Sequence, residues 1–262
     1  MLLVHGFGCD RSFMAHQQTV FSRERRTVTV DLKGHGQSDA PRQNYTPAGF
    51  AEDLAWLCGR LGLAAPLVVG HSMGGTIALE LGARYPDSVA AVMMIDNFVF
   101  PAPAMVDAMR PLAASLHGSD FEAGLTALRT AVARPGEGPQ ADMRWAASLA
   151  ATPQHVLASA FASHTVLYDA GPAAACRVPL AFVGAASPLG DAGRFRALCP
   201  DLVVGQTVGS GHFSPLLVPH QINAMIRDFE RTPTVGSSRH RRPHVRGRAP
   251  HVLEPRSVKC FP

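Results

Sequence analysis

A chain of 262 residues with 47% hydrophobic side chains can bury a large core, in one domain or two small ones. Its formal charge of +4 is uneven, because residues 231–262 hold eight Lys or Arg against one Glu and the preceding body is mildly acidic. That placement argues against a basic folded face and a nucleic-acid partner, and no stretch reaches the roughly 20 uncharged apolar residues of a membrane span.

Leu2-Leu3-Val4 is a short apolar run followed at once by His5-Gly6-Phe7-Gly8. The residues from Ser12 read as a loop and short helix. Thr27-Val28-Thr29-Val30 is rich in β-branched residues and predicts a strand. It runs into Asp31–Asp39, a loop with two glycines. Thr46 is placed as an N-cap, with Pro47 at the first helical position. Phe50, Leu54, Leu57, Cys58 and Leu61 follow at helical spacing, and Gly62 ends that helix. Leu67-Val68-Val69 predicts a buried strand, Gly70–Gly74 a sharp turn, and the residues up to Pro86 a helix. Val89–Ile95 is a further buried strand, ending in Asp96-Asn97.

From Phe98 to Cys176 the composition shifts to Ala, Leu and Met with Pro and Gly breaks, which predicts several short helices in a separate lobe. Val178–Gly184 and Leu202–Val208 read as strands, the second followed by Gly209-Ser210-Gly211-His212-Phe213. Pro219–Phe229 reads as a last helix. Residues 231–262, rich in Arg, Pro and His without apolar periodicity, predict a disordered basic tail. The expected division is a core from residues 1–97 and 177–230, a helical lobe over 98–176, and the tail.

Strands alternating with helices predict an α/β fold with a mostly parallel central sheet covered by helices on both faces. Sites on such sheets lie at the carboxyl ends of the strands. His5-Gly6-Phe7, Ser72, Asp96 and His212 each follow a predicted strand, so one edge collects them. A turn as tight as Gly-His-Ser-Met-Gly favours residues without a Cβ at its ends. Ser72 at its tip is a candidate nucleophile, and a serine hydroxyl needs a base within reach. His212 is the candidate base, since imidazole takes and returns a proton near neutral pH. His35 and His71, within loop motifs, are read as bracing loops or lining the pocket. The Met73 N–H, at a helix start, can donate to a developing oxyanion.

In order, the His5–Gly8 loop, the D-x-x-G-x-G-x-S segment Asp31–Ser38, the Gly70–Gly74 elbow, a helical insertion and Gly211-His212-Phe213 make the chain resemble the α/β-hydrolase family over roughly residues 1–230. The resemblance implies an esterase-like hydrolase with no cofactor and no metal. Its substrate would be a small ester, lactone or related acyl compound. Ser72 would be acylated, His212 would move the proton, and the N–H groups of Phe7 and Met73 would form the oxyanion hole. The lobe would be a cap over the pocket, and Met105, Met109, Phe121, Trp145 and Phe161 suggest that the pocket is apolar. Serine at the elbow, where haloalkane dehalogenases and epoxide hydrolases carry an acid, argues against their chemistry.

The sequence departs from the family pattern in its acid. The family usually carries it just after the strand that follows the cap, where this chain reads Gly184-Ala185-Ala186-Ser187-Pro188. Asp96 is favoured instead, because it ends a strand directly. Asp191, in the next loop, and a Ser–His dyad without an acid are the other arrangements. The family also has two more strands before the His-Gly loop. Without them Thr27–Val30 is expected to be an exposed edge and the chain less stable than a longer relative. Two other functions fit the same residues. One is cofactor-free oxygenation by a His–Asp pair, and the other is small-molecule reception without turnover. The five cysteines lack CxxC spacing and the N-terminus lacks a signal-peptide pattern, so a cytoplasmic protein with reduced thiols is expected.

Overall fold

The β-branched runs pair into a seven-stranded sheet in the computed structural model of the chain. The structure describes residues 1–132, 138–174, 176–232, 235 and 259–261. The strands are β1 (Leu2–Val4), β2 (Val28–Asp31), β3 (Leu67–His71), β4 (Ala91–Ile95), β5 (Leu180–Gly184), β6 (Val203–Gln206) and β7 (Lys259–Phe261). They lie in the order β6-β5-β4-β3-β1-β2-β7. The first six pair in parallel, and β7 pairs antiparallel with β2.

Side chains alternate across the pleat, so each strand feeds two cores. Leu2, Val4, Val68, Val92, Met94 and Phe182 face one core. Leu3, Leu67, Val69, Met93, Ile95 and Val183 face the other. Both faces are therefore apolar, which is why these strands read as continuous hydrophobic runs.

The helices follow from the same pattern. They are α1 (Ala15–Phe21), α2 (Pro47–Leu61), α3 (Met73–Arg84), α4 (Pro103–His117), α5 (Phe121–Val132), α6 (Gly138–Ala151), α7 (Gln154–Phe161), α8 (Gly171–Ala174), α9 (Ala192–Leu198), α10 (Ser214–Leu217) and α11 (Pro219–Glu230). At α2 the Thr46 hydroxyl accepts from Gly49 N at 3.1 Å, and Gly62 closes the helix at φ +60°. α2 and α3 pack against each other over the first core, while Phe21 of α1 and Ile222 and Ile226 of α11 close the second. Helices α4 to α8 lie between β4 and β5 in the chain, in the stretch expected as the lobe. The Pro135-Gly136 break expected within it lies outside the described residues. Among the described residues no helix is long and apolar enough to cross a membrane.

Two expectations are corrected at the C-terminus. Thr27–Val30 was expected as an exposed edge, yet Thr29, Val30 and Asp31 pair with Phe261, Cys260 and Lys259. An edge strand offers unpaired N–H and C=O groups, and a short extended segment satisfies them whatever its composition. The expected wholly disordered tail is also corrected at Val235, which is fully buried in the core beside Ile222 and Ile226. A single buried valine and a three-residue strand are too short to show periodicity. Residues 236–258 of the expected tail lie outside the described residues.

Candidate active site

The turn after β3 is glycine-rich because three backbones meet there. A Cβ on Gly70 would lie 2.1 Å from the Gly74 carbonyl oxygen, and one on Gly74 would lie 2.4 Å from that of His5. Neither neighbour is a side chain that can swing away. The compression leaves Ser72 at φ +53° and ψ −124°, a costly conformation for a residue with a Cβ. The Ser72 N–H is fixed to the Ile95 carbonyl at 2.8 Å. Its side chain stands at the start of α3, 8% exposed and on the wall of a cavity.

Asp96 follows β4, also in the left-handed region at φ +43°, and is buried. Its Oδ2 lies 2.7 Å from His212 Nδ1. Its Oδ1 accepts from the N–H groups of Ala185 and Leu189, each at 3.2 Å. The loop after β5 thus lacks a carboxylate of its own but supplies two donors to one on β4. Asp191 is used differently: it caps α9, accepting from Gly193 N at 2.8 Å and Arg194 N at 3.0 Å. Ser187 is exposed to solvent. A carboxylate acceptor at Nδ1 calls for the proton there and leaves Nε2 of a neutral His212 as the basic nitrogen.

His71 braces His212 from beneath. Its Nε2 donates to the His212 carbonyl at 2.8 Å, and the two rings lie 4.7 Å apart. Burial, with the neighbouring His212 adding to it, brings the His71 pKa down to about 3, so this ring is neutral. His5 ties two loops together, donating from Nδ1 to the Gly6 carbonyl at 2.8 Å and accepting at Nε2 from Leu32 N at 3.1 Å. Burial lowers its pKa as well. His35, whose pKa burial lowers to about 3, packs against His5 in the same loop pair.

The Asp31–Ser38 segment is structural. The Asp31 carboxylate accepts from Arg11 N at 2.8 Å, the Arg11 guanidinium at 2.6 Å and Gln37 N at 3.0 Å. A Cβ on Gly36 would lie 2.4 Å from the Asp31 carboxyl carbon, which accounts for glycine at φ +54°.

Phe7 and Met73 flank Ser72 from two elements, the loop after β1 and the first turn of α3. Among the described residues neither backbone N–H has a hydrogen-bond partner. A Cβ on Gly6 would lie 3.0 Å from Ser72 Cβ, so the loop carrying Phe7 is pressed against the serine.

The cavity above these groups measures about 460 Å³. Gly6, Phe7, His71, Ser72 and His212 line its floor, and Met105, Met109 and Trp145 of the lobe line its roof. Phe121, one of the five apolar lobe residues singled out in the sequence, is half-buried against the hydrophobic core instead and does not line this cavity. Two lobe residues with polar roles carry no sequence signal. Trp145 Nε1 donates to the Phe7 carbonyl at 2.9 Å, and its ring lies 5.3 Å from Phe213. His164 lines the cavity from the turn Ala162–Val166 after α7, one of 12 histidines in the chain. Its part follows only from tertiary packing.

A parallel sheet with a serine on a glycine-framed strand–turn–helix elbow and a buried His–Asp pair on the same edge, the aspartate after β4 and the histidine after β6, defines an α/β protein of the elbow type. The chain belongs to the α/β-hydrolase fold family, whose model matches residues 1–197. It is 32% identical over 109 residues to the 2-(acetamidomethylene)succinate hydrolase of Mesorhizobium japonicum, a match covering 42% of this chain and 39% of that protein. It is 36% identical over 105 residues to epoxide hydrolase 4 of Homo sapiens, covering 39% of this chain and 28% of that protein. The chain thus spans well under two thirds of the curated relatives that it matches. A thermophilic esterase from Thermogutta terrifontis superposes with a TM-score of 0.75 over 88% of each chain at 23% identity, a likeness of fold.

Proposed function

We propose that the chain is a serine hydrolase acting on a small ester, lactone or related acyl substrate. The observation that carries this reading is the buried 2.7 Å contact between Asp96 and His212 on the cavity that Ser72 lines. In the proposed cycle Ser72 Oγ attacks the substrate carbonyl while His212 Nε2 takes the hydroxyl proton. Asp96 holds the Nδ1 proton and stabilises the imidazolium that results. The N–H groups of Phe7 and Met73 donate to the carbonyl oxygen as it becomes an oxyanion. The acyl C–O bond then breaks, His212 returns the proton to the leaving alkoxide, and Ser72 is left acylated. Water, deprotonated by His212, releases the acid and restores the serine. The hydrolase among the relatives supports the reaction class. The strained elbow supports the serine as the reacting group, since that conformation costs about 1–3 kcal/mol and exposes the hydroxyl to the cavity.

A fluorophosphonate probe tests this reading. Labelling that maps to Ser72 and disappears in folded Ser72→Ala is the expected result. A folded wild-type chain that takes no label contradicts it.

A further inference from the structure

The cavity has an uneven polarity that the proposed reaction does not require. The reacting groups lie on its floor, and the lobe side is apolar, with Met105, Met109, Leu128 and Phe161 among its residues. Among the described lining residues there is no Lys, Arg, Asp or Glu. The polar exceptions on the lobe side are His164 and Thr165.

Thr165 spends its hydroxyl on the Phe161 carbonyl at 2.6 Å. His164 differs. Its Nδ1 lies 2.8 Å from the Ala160 carbonyl, which can only accept, so Nδ1 carries the proton. In the neutral ring Nε2 is then an acceptor, and among the described residues it has no partner. The ring is held rigidly. It stacks on Phe7 at 5.7 Å with 26° between planes and meets Phe161 edge to face at 5.9 Å. Burial lowers the His164 pKa to about 4, which keeps the ring uncharged at neutral pH. The turn that carries it is π-helical, a local widening that re-aims a side chain and is frequent at functional sites.

We propose that the cavity takes an uncharged ester or lactone whose apolar arm packs against the lobe and whose hydroxyl or amide N–H donates to His164 Nε2. The inference rests on the reading of the floor as a hydrolase site and adds the class of substrate. His164 is the residue that sets specificity. A carboxylate on the substrate arm would be buried without a cationic partner, which is strongly unfavourable. The chain should therefore reject substrates such as the succinate derivative for which one of its relatives is named.

Binding to the Ser72→Ala protein reads this preference without turnover. Calorimetry is run with methyl octanoate, the positional isomers of methyl hydroxyoctanoate and the monomethyl ester of octanedioic acid. At least one hydroxylated isomer should bind about tenfold more tightly than methyl octanoate, the worth of one well-formed hydrogen bond. The monoanion should bind about 100-fold more weakly than methyl octanoate. In the double variant Ser72→Ala, His164→Phe, shown folded by its melting curve, the hydroxyl preference should vanish, and His164→Gln should restore part of it. Equal binding of all hydroxylated isomers and methyl octanoate overturns the inference, as does binding of the monoanion on a par with the neutral ester. A preference that survives His164→Phe overturns the role of this residue. Probe labelling of Ser72 in the wild type is read separately. A labelled serine with no hydroxyl preference sinks the substrate class alone, and an unlabelled serine in a chain that prefers the hydroxylated ester sinks the hydrolase reading alone.

Discussion

The sheet edge and the helical lobe meet at one cavity but are built on different principles. On the sheet edge the serine and the carboxylate are held by backbone, and the histidine by two polar side chains. Ser72 is set by three glycine-framed contacts, Asp96 by two N–H donors from the next loop, and His212 by Asp96 and His71. The lobe is held by side-chain packing, and its polar contacts with the floor are few, Trp145 to Phe7 among them. Rigid backbone suits groups that must meet within a fraction of an ångström, and packed side chains suit a surface that selects by shape. Altering the edge should stop the chemistry, and altering the lobe should change what is accepted and how fast.

The largest effect is expected at the serine. Ser72→Ala should lower kcat on a 4-nitrophenyl ester by about 10⁶-fold while leaving the circular dichroism spectrum unchanged. Next comes the acid. Asp96→Asn should cost about 10⁴-fold in kcat, as expected when the tautomer of a paired histidine is no longer enforced. Asp191→Asn should cost less than about twofold, with stability altered by about 1 kcal/mol or less because it removes only a helix cap. If the two variants exchanged effects, the assignment of roles to the two carboxylates would be wrong.

A smaller effect joins the two regions. Trp145→Phe keeps an aromatic ring but leaves the buried Phe7 carbonyl with only the weak Cys9 thiol donor at 3.5 Å, which should cost about 1–2 kcal/mol of stability, read from the urea midpoint. Because Phe7 carries one of the two proposed oxyanion donors, kcat should fall about tenfold with KM nearly unchanged. An unchanged kcat would show that the lobe does not help to position the edge.

A last effect is spread over the pH scale. His35 and His71 are held neutral down to about pH 3, and His164 to about pH 4, mainly by burial. The unfolded chain protonates the same rings below about pH 6.5, so it binds more protons than the folded chain at lower pH. Stability should therefore be complete above about pH 6.5 and fall as the pH drops toward 4. The slope is at most about 1.4 kcal/mol per pH unit for each ring. Urea titrations at pH 7 and pH 5 measure it, and His71→Asn should flatten the slope.

The same contrast explains what could be read from the sequence. The strands, the elbow and the order of the loops were legible because each rests on local chemistry: β-branched runs, glycines without room for a Cβ, a threonine cap before a proline. His212 stood out among 12 histidines because it follows a strand and a glycine-rich turn. The identity of the carboxylate beside His212 was open in the sequence, because Asp96 and Asp191 differ in contacts made by residues distant in the chain. His164 and Trp145 carried no polar signal at all. A histidine or tryptophan on a lobe helix reads as core until the facing loop is in place. The pairing of Lys259–Phe261 with β2 was missed for a related reason, since three extended residues gain their strand only from the partner.

The central proposal is that the edge forms a covalent acyl-enzyme on Ser72. Rapid quench of the wild-type chain with a 4-nitrophenyl ester, followed by peptide mapping by mass spectrometry, tests it most directly. The predicted result is an acyl mass increment on the peptide that contains Ser72, rising with the burst of nitrophenol and absent in Ser72→Ala. Steady turnover of the ester with no acylated Ser72 at any quench time, or turnover that persists in Ser72→Ala, would contradict it.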